Sequence, residues 1–163
     1  MLDRDREMET LRKEIKRLRD IEEIGRLKHR YCQFADGIDG TTHAKELALL
    51  FTEQGKWSVN GKVTVGRRAI ENEATSAIRP WRIAFHCVMS PLIDVNEDRA
   101  TGRWYGLFPL IPMGSSDIVW LGGVYDERYL RTDEGWLFES VKIDLALNAN
   151  ALDRQSAQQN LAQ

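Results

Sequence analysis

The chain has 163 residues, of which 42% are hydrophobic and 29% are charged, and its formal net charge is -2. This length and composition predict one globular domain with a buried core. The near-neutral charge provides no basic surface for nucleic acid or for an anionic membrane. The charged N-terminus and the lack of a long apolar run argue against a signal peptide and a membrane span. Two cysteines in a chain of this length predict free thiols in a reducing cytoplasm.

The first third of the chain is predicted to be helical. Apolar residues recur at three- and four-residue steps from Leu11 to Leu27, which is typical of one face of an amphipathic helix. This helix is expected to end near Ala35, before the Asp36-Gly37 breaker. Its apolar stripe is longer than a small core needs, so we expect the first turns to pack on another subunit. A loop over 36–42 and a buried second helix over Ala44–Phe51 follow.

The remainder is predicted to be mostly β-structure. Asn60-Gly61 lies between two short β-rich runs, the strongest local signal for a hairpin. A third helix is predicted over Arg67–Ile78, before the Arg79-Pro80 step. Gly122-Gly123, inside a strand, suggests a bulge. Four long runs joined by short turns then predict an antiparallel meander: Ile83–Val95, Ala100–Pro112, Ile118–Thr132 and Trp136–Leu147.

Helices followed by a curved meander predict an α+β fold, because the helices must cover one face of the sheet. A twisted sheet wrapped on helices closes at one end and opens at the other. We therefore expect a cone-shaped, half-open barrel over residues 1–150, with a small apolar or polycyclic ligand in the opening. Residues 151–163 are rich in Gln, Asn and Ala and are predicted to form a loose tail.

His86 is the strongest candidate for a chemical role, because it lies in an otherwise apolar run. A buried imidazole needs partners for both nitrogens, and a core histidine bound to a backbone carbonyl is the alternative interpretation. A carboxylate beside His86 would favour a general-base dyad. Asp36, at the exit of the first helix, is the preferred partner, and Asp39 is its rival. Tyr31, five residues before Asp36, completes the candidate set.

The sequence contains no HxH, HExxH or CxxC motif and no phosphate-binding glycine loop, so neither a metal nor a cofactor is predicted. A GxSxG elbow is also missing. The prospective pocket is instead apolar and aromatic, which suits a flat or polycyclic substrate. Its predicted lining residues are Phe34, Trp57, Trp81, Phe85, Trp104, Phe108, Met113 and Trp120.

A series of short segments in order carries a family resemblance. The segments are Asp20-Ile-Glu-Glu-Ile24, Leu27-Lys28, Tyr31, Asp36-Gly37, Leu47-x-x-Leu50-Phe51, Phe85-His86, Thr101-Gly-Arg-Trp-Tyr105, Gly122-Gly-Val-Tyr125 and Gly135-Trp136. In order and spacing they resemble the SnoaL-like family, a branch of the nuclear-transport-factor-like fold. The resemblance covers most of the chain and implies the fold more specifically than an activity.

Within that family the chain looks most like the bile acid 7α-dehydratases and, more distantly, the hexachlorocyclohexane dehydrochlorinases and scytalone dehydratases. The resemblance implies a cofactor-free lyase, with Tyr31, Asp36 and His86 at the catalytic positions. Two positions depart from the bile acid pattern: Phe108 replaces an Asp, and Asp144, near Lys142, replaces an Arg.

Three functions remain open at this stage. The first is a dehydratase-like lyase that uses Asp–His acid/base chemistry on a cyclic apolar molecule. The second is an isomerase of the ketosteroid isomerase kind, and the third is a non-catalytic module for ligand binding or assembly. We expect a homo-oligomer, a trimer or a dimer, because sheets of this kind leave one broad outer face and related lyases are often trimers.

Overall fold

The computed structural model describes residues 2–150, and the predicted tail at 151–163 lies outside the described residues. Over the described range the chain forms three helices and nine strands that build one curled, half-barrel sheet with helices packed on it. The α+β prediction is confirmed. In chain order the elements are α1 Leu2–Ala35, β1 Gly37–Ile38, β2 Thr41–Thr42, α2 Ala44–Leu49, β3 Phe51–Val59, β4 Lys62–Val65, α3 Arg67–Ile78, β5 Trp81–Ala84, β6 Cys87–Asn96, β7 Arg99–Pro112, β8 Val119–Thr132 and β9 Gly135–Asn150.

The sheet contains the predicted meander, since β6, β7, β8 and β9 pair with their sequence neighbours in antiparallel fashion. Outside this meander, β3 lies parallel to β9. Tight turns force neighbouring strands to run in opposite directions. Five strands and one helix lie between β3 and β9 in the chain, so no tight turn sets their relative direction.

Two short predictions in the first half need correction. The segment 36–42 is not a plain loop, because β1 and β2 form a two-residue ladder there, and β1 also pairs with β5. The second helix ends at Leu49, and Phe51 already belongs to β3, where it pairs with Phe138 of β9. The backbone N–H of Phe138 donates to Leu50. Pairing with the sheet therefore overrides the helical pattern of this apolar run.

Turn chemistry was a reliable guide to local structure. Val59 pairs with Lys62, and Asn60 and Gly61 have φ of 48° and 84°, as the predicted hairpin requires. The helix over Arg67–Ile78 has the predicted bounds. The register of β8 against β9 shifts between Gly122 and Gly123, which confirms the bulge.

The predicted strand Ile83–Val95 is divided into β5 and β6 at Phe85 and His86. Ala84 pairs with Leu110 and Cys87 with Leu107, three residues further along each strand, so the register is the same on both sides. In that register Phe85 lies opposite Pro109, which has no N–H to donate to a ladder. The Phe85 N–H donates to the Pro109 carbonyl at 3.2 Å, but Pro109 cannot donate the reciprocal bond to the Phe85 carbonyl. The break therefore follows from Pro109.

The core lies between the concave face of the sheet and the second half of α1. Ile24, Leu27 and Tyr31 are buried there, together with alternate residues of β7 and β8. The first half of α1 contacts none of this core, since residues 3–19 are all exposed. In the described part of the chain, no helix has the length and apolar character needed to cross a membrane.

Candidate active site

Asp36 and His86 meet where α1 leaves the sheet. The pairing of Gly37 with Ala84 places Asp36 beside the break that follows β5. One carboxylate oxygen, Oδ1, accepts the backbone N–H of His86 at 2.7 Å and lies 3.1 Å from Nδ1 of the same residue. The Nδ1–H tautomer satisfies this contact, which leaves Nε2 as the nitrogen available to a ligand. Asp39 instead lies in the β1–β2 turn with a φ of 51°.

His86 also lines a cavity of about 180 Å³ between the concave sheet and α3. The cavity wall is almost entirely apolar, and helix, hairpin and strands all contribute to it. Its lining includes Tyr31, Thr42, Leu47, Trp57, Val59, Ala74, Ile78, Trp81, Ala84, His86, Phe108, Leu110, Leu121, Tyr125, Ile143 and Leu145. Asp36 does not line this cavity but borders a second groove, together with Gly37 and Phe85. The imidazole therefore links a partly exposed carboxylate to an apolar pocket.

Two tyrosines contribute the other polar groups of the wall. The Tyr31 hydroxyl accepts the indole N–H of Trp57 at 3.0 Å and keeps its own hydrogen for a second bond. Burial raises the pKa of Tyr31 well above its ordinary value, so this hydroxyl stays protonated at any moderate pH. The pKa of Tyr125 is raised by burial as well. Its hydroxyl has no hydrogen-bond partner among the described residues.

A buried ion pair lies beneath these two tyrosines. Lys28 Nζ is 2.5 Å from Glu127 Oε1, and both side chains are fully buried. The ammonium group also lies 3.1 Å from the ring centroid of Tyr125 and 4.5 Å from that of Tyr31. Burial lowers the pKa of Lys28, and the Glu127 carboxylate opposes that shift. The other oxygen of Glu127 accepts the hydroxyl of Tyr129.

Sequence reasoning missed this ion pair, although a signal was present. Lys28 follows Ile24 by four residues and Leu27 by one, so it lies on the buried face of α1. Glu127 alternates with Tyr125 and Tyr129 on the inward face of β8. A charged residue at an inward position of each element is the pattern that would have predicted the pair.

The predicted pocket residues divide into two groups. Trp57, Trp81 and Phe108 line the cavity, together with His86 and Tyr31. The others lie outside its lining: Phe34, Phe85, Trp104, Met113, Trp120.

Strand alternation and position along the fold explain the second group. Trp120 precedes the inward Leu121 on β8, so it points to the outer face and is 38% exposed. Trp104 shares the inward face with Phe108 but lies under α1, where its indole N–H donates to Tyr129. Phe34 packs near His43. Phe85 lines the surface groove with Asp36, and Met113 is exposed beyond the end of β7.

The two departures from the bile acid pattern have different consequences. Phe108 lines the cavity and packs edge-on against the His86 ring at 5.3 Å between centroids, so an apolar group replaces a second carboxylate there. Lys142 and Asp144 instead form an ion pair, 2.5 Å apart, on the exposed face of β9, away from the pocket. No cluster of three or more potential metal ligands occurs among the described residues.

The fold and this pocket define a small α+β domain with an Asp–His pair, and comparison with known proteins identifies the family. The model of the SnoaL-like domain matches residues 16–142, and the chain belongs to that family. No match was found among curated proteins.

Solved structures share the fold. An NTF2-like protein with a cystatin-like fold from Novosphingobium aromaticivorans is 26% identical, with 94% of this chain and 95% of that chain covered and a TM-score of 0.66. A protein from the same organism with the provisional name scytalone dehydratase is 23% identical, with coverage of 82% and 89% and a TM-score of 0.73. Hexachlorocyclohexane dehydrochlorinase LinA-type3 from Novosphingobium barchaimii is 17% identical, with coverage of 84% and 93% and a TM-score of 0.73.

Proposed function

We propose that the protein is a cofactor-independent lyase, of dehydratase type, that acts on a small cyclic molecule in this pocket. The observation that carries the proposal is the 3.1 Å contact between Asp36 Oδ1 and His86 Nδ1, with the same imidazole in the wall of an apolar cavity. A carboxylate on Nδ1 keeps Nε2 unprotonated and stabilises the imidazolium that forms when Nε2 takes a proton. The SnoaL-like domain of this chain and its structural similarity to a protein with the provisional name scytalone dehydratase support the reaction type.

The chemistry needs no group beyond the side chains already named. His86 Nε2 takes a proton from a carbon next to the carbon that carries the leaving group. The electrons of that C–H bond form the new double bond as the bond to the leaving hydroxide breaks. The hydroxide takes the proton from the His86 imidazolium and leaves as water, which returns the imidazole to its neutral form. Tyr31 keeps its proton because burial raises its pKa, so its hydroxyl donates a hydrogen bond to the departing oxygen or to a developing oxyanion. The apolar wall excludes water and strengthens both interactions.

Cavity size narrows the substrate class. An engineered cavity of roughly 150 Å³ holds benzene, so a cavity of about 180 Å³ encloses one substituted ring. A polycyclic ligand would extend through the open mouth of the barrel. Trp57, Trp81 and Phe108 supply the flat apolar surfaces that contact the ring. We therefore favour a single-ring β-hydroxyketone, with 3-hydroxycyclohexanone as the first probe.

The test follows elimination of water from this probe by the absorbance of the conjugated ketone that forms. We expect His86→Ala to lower kcat roughly 10²–10⁴-fold, because general-base assistance contributes that much. Asp36→Asn is expected to cost a large share of the rate, since an amide cannot stabilise the imidazolium. The double variant should lose little more than the worse single variant, because the two residues act together.

Asp39→Asn is the matched control. Asp39 lies in the nearby β1–β2 turn, where its backbone N–H donates to the carbonyl of Arg82. This substitution should leave kcat unchanged. Thermal melts of every variant separate loss of chemistry from loss of folding. A well-folded His86→Ala protein with unchanged turnover would exclude the dyad.

Phe108 favours one alternative, a pocket that binds without catalysis, because it removes the second carboxylate that the resemblance implies. Saturable quenching of tryptophan fluorescence by the probe, without turnover of any member of a β-hydroxyketone panel, would support that alternative.

A further inference from the structure

The N-terminal half of α1 extends from the domain, and no other described part of the chain covers it. Residues 3–19 are all exposed, and Asp20 is the first buried side chain, held 2.5 Å from Arg131 of β8. At 1.5 Å of rise per residue, the exposed segment is roughly 26 Å long. In proteins, most of the stability of a helix comes from the packing of its apolar face and not from helix propensity. The described residues of one chain supply no such cover.

One face of this segment carries an apolar stripe. Met8, Leu11, Ile15 and Leu18 are 47%, 50%, 49% and 57% exposed. Their spacing of three, four and three residues places Met8 and Ile15 at heptad position a, and Leu11 and Leu18 at position d. A strict a/d stripe is the narrow seam by which one helix packs against another along its length. Exposed large side chains in this pattern indicate a helix as the partner.

The charges beside the stripe specify which helix fits. The g positions are Glu7 and Glu14, and the e positions that follow them are Arg12 and Arg19. In a parallel coiled coil each g residue faces the next e residue of the other helix, so Glu7 faces Arg12 and Glu14 faces Arg19 across the seam. In an antiparallel pair, g would face g and e would face e, which sets glutamate against glutamate and arginine against arginine. The helix is therefore complementary to a parallel copy of itself.

We propose that residues 7–19 form a parallel, in-register coiled coil with the same segment of a second copy of this chain. A β-branched residue at position a with leucine at position d favours two strands, and Ile15 lies between Leu11 and Leu18 in that arrangement. This interface is separate from the pocket, so it is independent of the proposed lyase activity. It joins two domains by their N-terminal helices and leaves both barrel openings free.

The first experiment removes the seam from the full-length protein. Sedimentation equilibrium should give a dimer mass for the wild type at micromolar concentration. Leu11→Ser/Leu18→Ser should weaken the dimer roughly 100-fold or more, because two buried leucines are lost from each helix. Leu92→Ser is the matched control, since Leu92 is 70% exposed and lies outside the seam on β6, and it should leave the mass unchanged. A trimer mass, or a dimer sensitive to Leu92→Ser alone, would overturn the proposal.

The second experiment tests charge pairing. Glu7→Arg/Glu14→Arg and Arg12→Glu/Arg19→Glu should each be monomeric, because like charges then face each other across the seam. An equimolar mixture of the two variants should form a heterodimer, since each Arg then faces a Glu. A mixture that stays monomeric, while each variant keeps a native thermal melt, would refute the pairing.

Cross-linking tests the register. In a Cys87→Ser background, which removes the exposed thiol, Leu11→Cys should give an intermolecular disulfide under mild oxidation, because equivalent d positions adjoin in a parallel dimer. Lys13 lies on the opposite side of the helix, so Lys13→Cys should not form the intermolecular disulfide. Absence of the bond through position 11, or equal bonding through position 13, would contradict an in-register parallel pair.

Discussion

Replacing Lys28 by methionine would leave the Glu127 carboxylate fully buried without its counter-ion. The two groups are 2.5 Å apart and neither side chain is exposed to solvent. Removing one partner of a buried ion pair typically costs about 3–5 kcal/mol, because the remaining charge keeps its desolvation penalty. Methionine has a similar length and apolar character, so packing changes little. For a domain with roughly 5–15 kcal/mol of stability, this loss would be a large part of the total.

Urea denaturation, followed by circular dichroism, measures the effect. Lys28→Met should lower the free energy of unfolding by about 3–5 kcal/mol. Glu127→Gln in the same chain removes the orphan charge but keeps an acceptor for the Tyr129 hydroxyl, so the double variant should recover much of the loss. The coupling between the two substitutions then gives the interaction energy.

Lys13→Met is the matched control, because it makes the same substitution on the same helix. Its partner Glu9 lies 3.7 Å away, and the two side chains are 76% and 58% exposed. Exposed pairs of this kind contribute about 0.5 kcal/mol or less. A Lys28→Met protein within about 1 kcal/mol of the wild type, or a double variant no more stable than that single variant, would refute the assignment of a buried charged pair.

Two further predictions concern stability. Burial raises the pKa of the Cys32 thiol from 9.0 to about 12. As pH rises above 9.0, the unfolded chain releases this proton before the folded chain does, so the folded state loses stability. The loss of unfolding free energy from this thiol is roughly 4 kcal/mol at most. In urea titrations between pH 8.5 and 10, Cys32→Ala should therefore lose less stability than the wild type, and parallel losses would contradict this. Gly123→Ala should destabilise the protein by about 1–3 kcal/mol, because a Cβ there would lie 2.3 Å from the Asp144 carbonyl oxygen. Gly25 lies on a helix with nothing within 4 Å of a new Cβ. Gly25→Ala should therefore raise the free energy of unfolding by about 0.5–1 kcal/mol and with it the melting temperature. Equal effects of the two alanines would refute this account.

Local patterns in the sequence were sufficient for most of the secondary structure. The end of α1 at Ala35, the bounds of α3 and the Asn60-Gly61 hairpin agree with the prediction. These features depend on breaker residues, turn chemistry and the 3.6- or two-residue period of apolar side chains, all of which act over a few residues. Propensity failed where a distant strand competes for the same residues, as at Phe51, which pairs with Phe138.

The pocket depended on contacts that no local pattern contains. The sequence named both Asp36 and Asp39 as partners of His86, fifty residues away, and only the pairing of β1 with β5 brings Asp36 within 3.1 Å. Lys28 and Glu127 are 99 residues apart. Periodicity places each charge on an inward face, but only the packing of α1 on the sheet brings the two side chains together. The aromatic residues were divided between cavity, core and surface by strand alternation and position along the barrel. Whether a side chain is buried, forms an ion pair or lines the pocket is decided by the tertiary structure, because each depends on which distant elements surround that side chain.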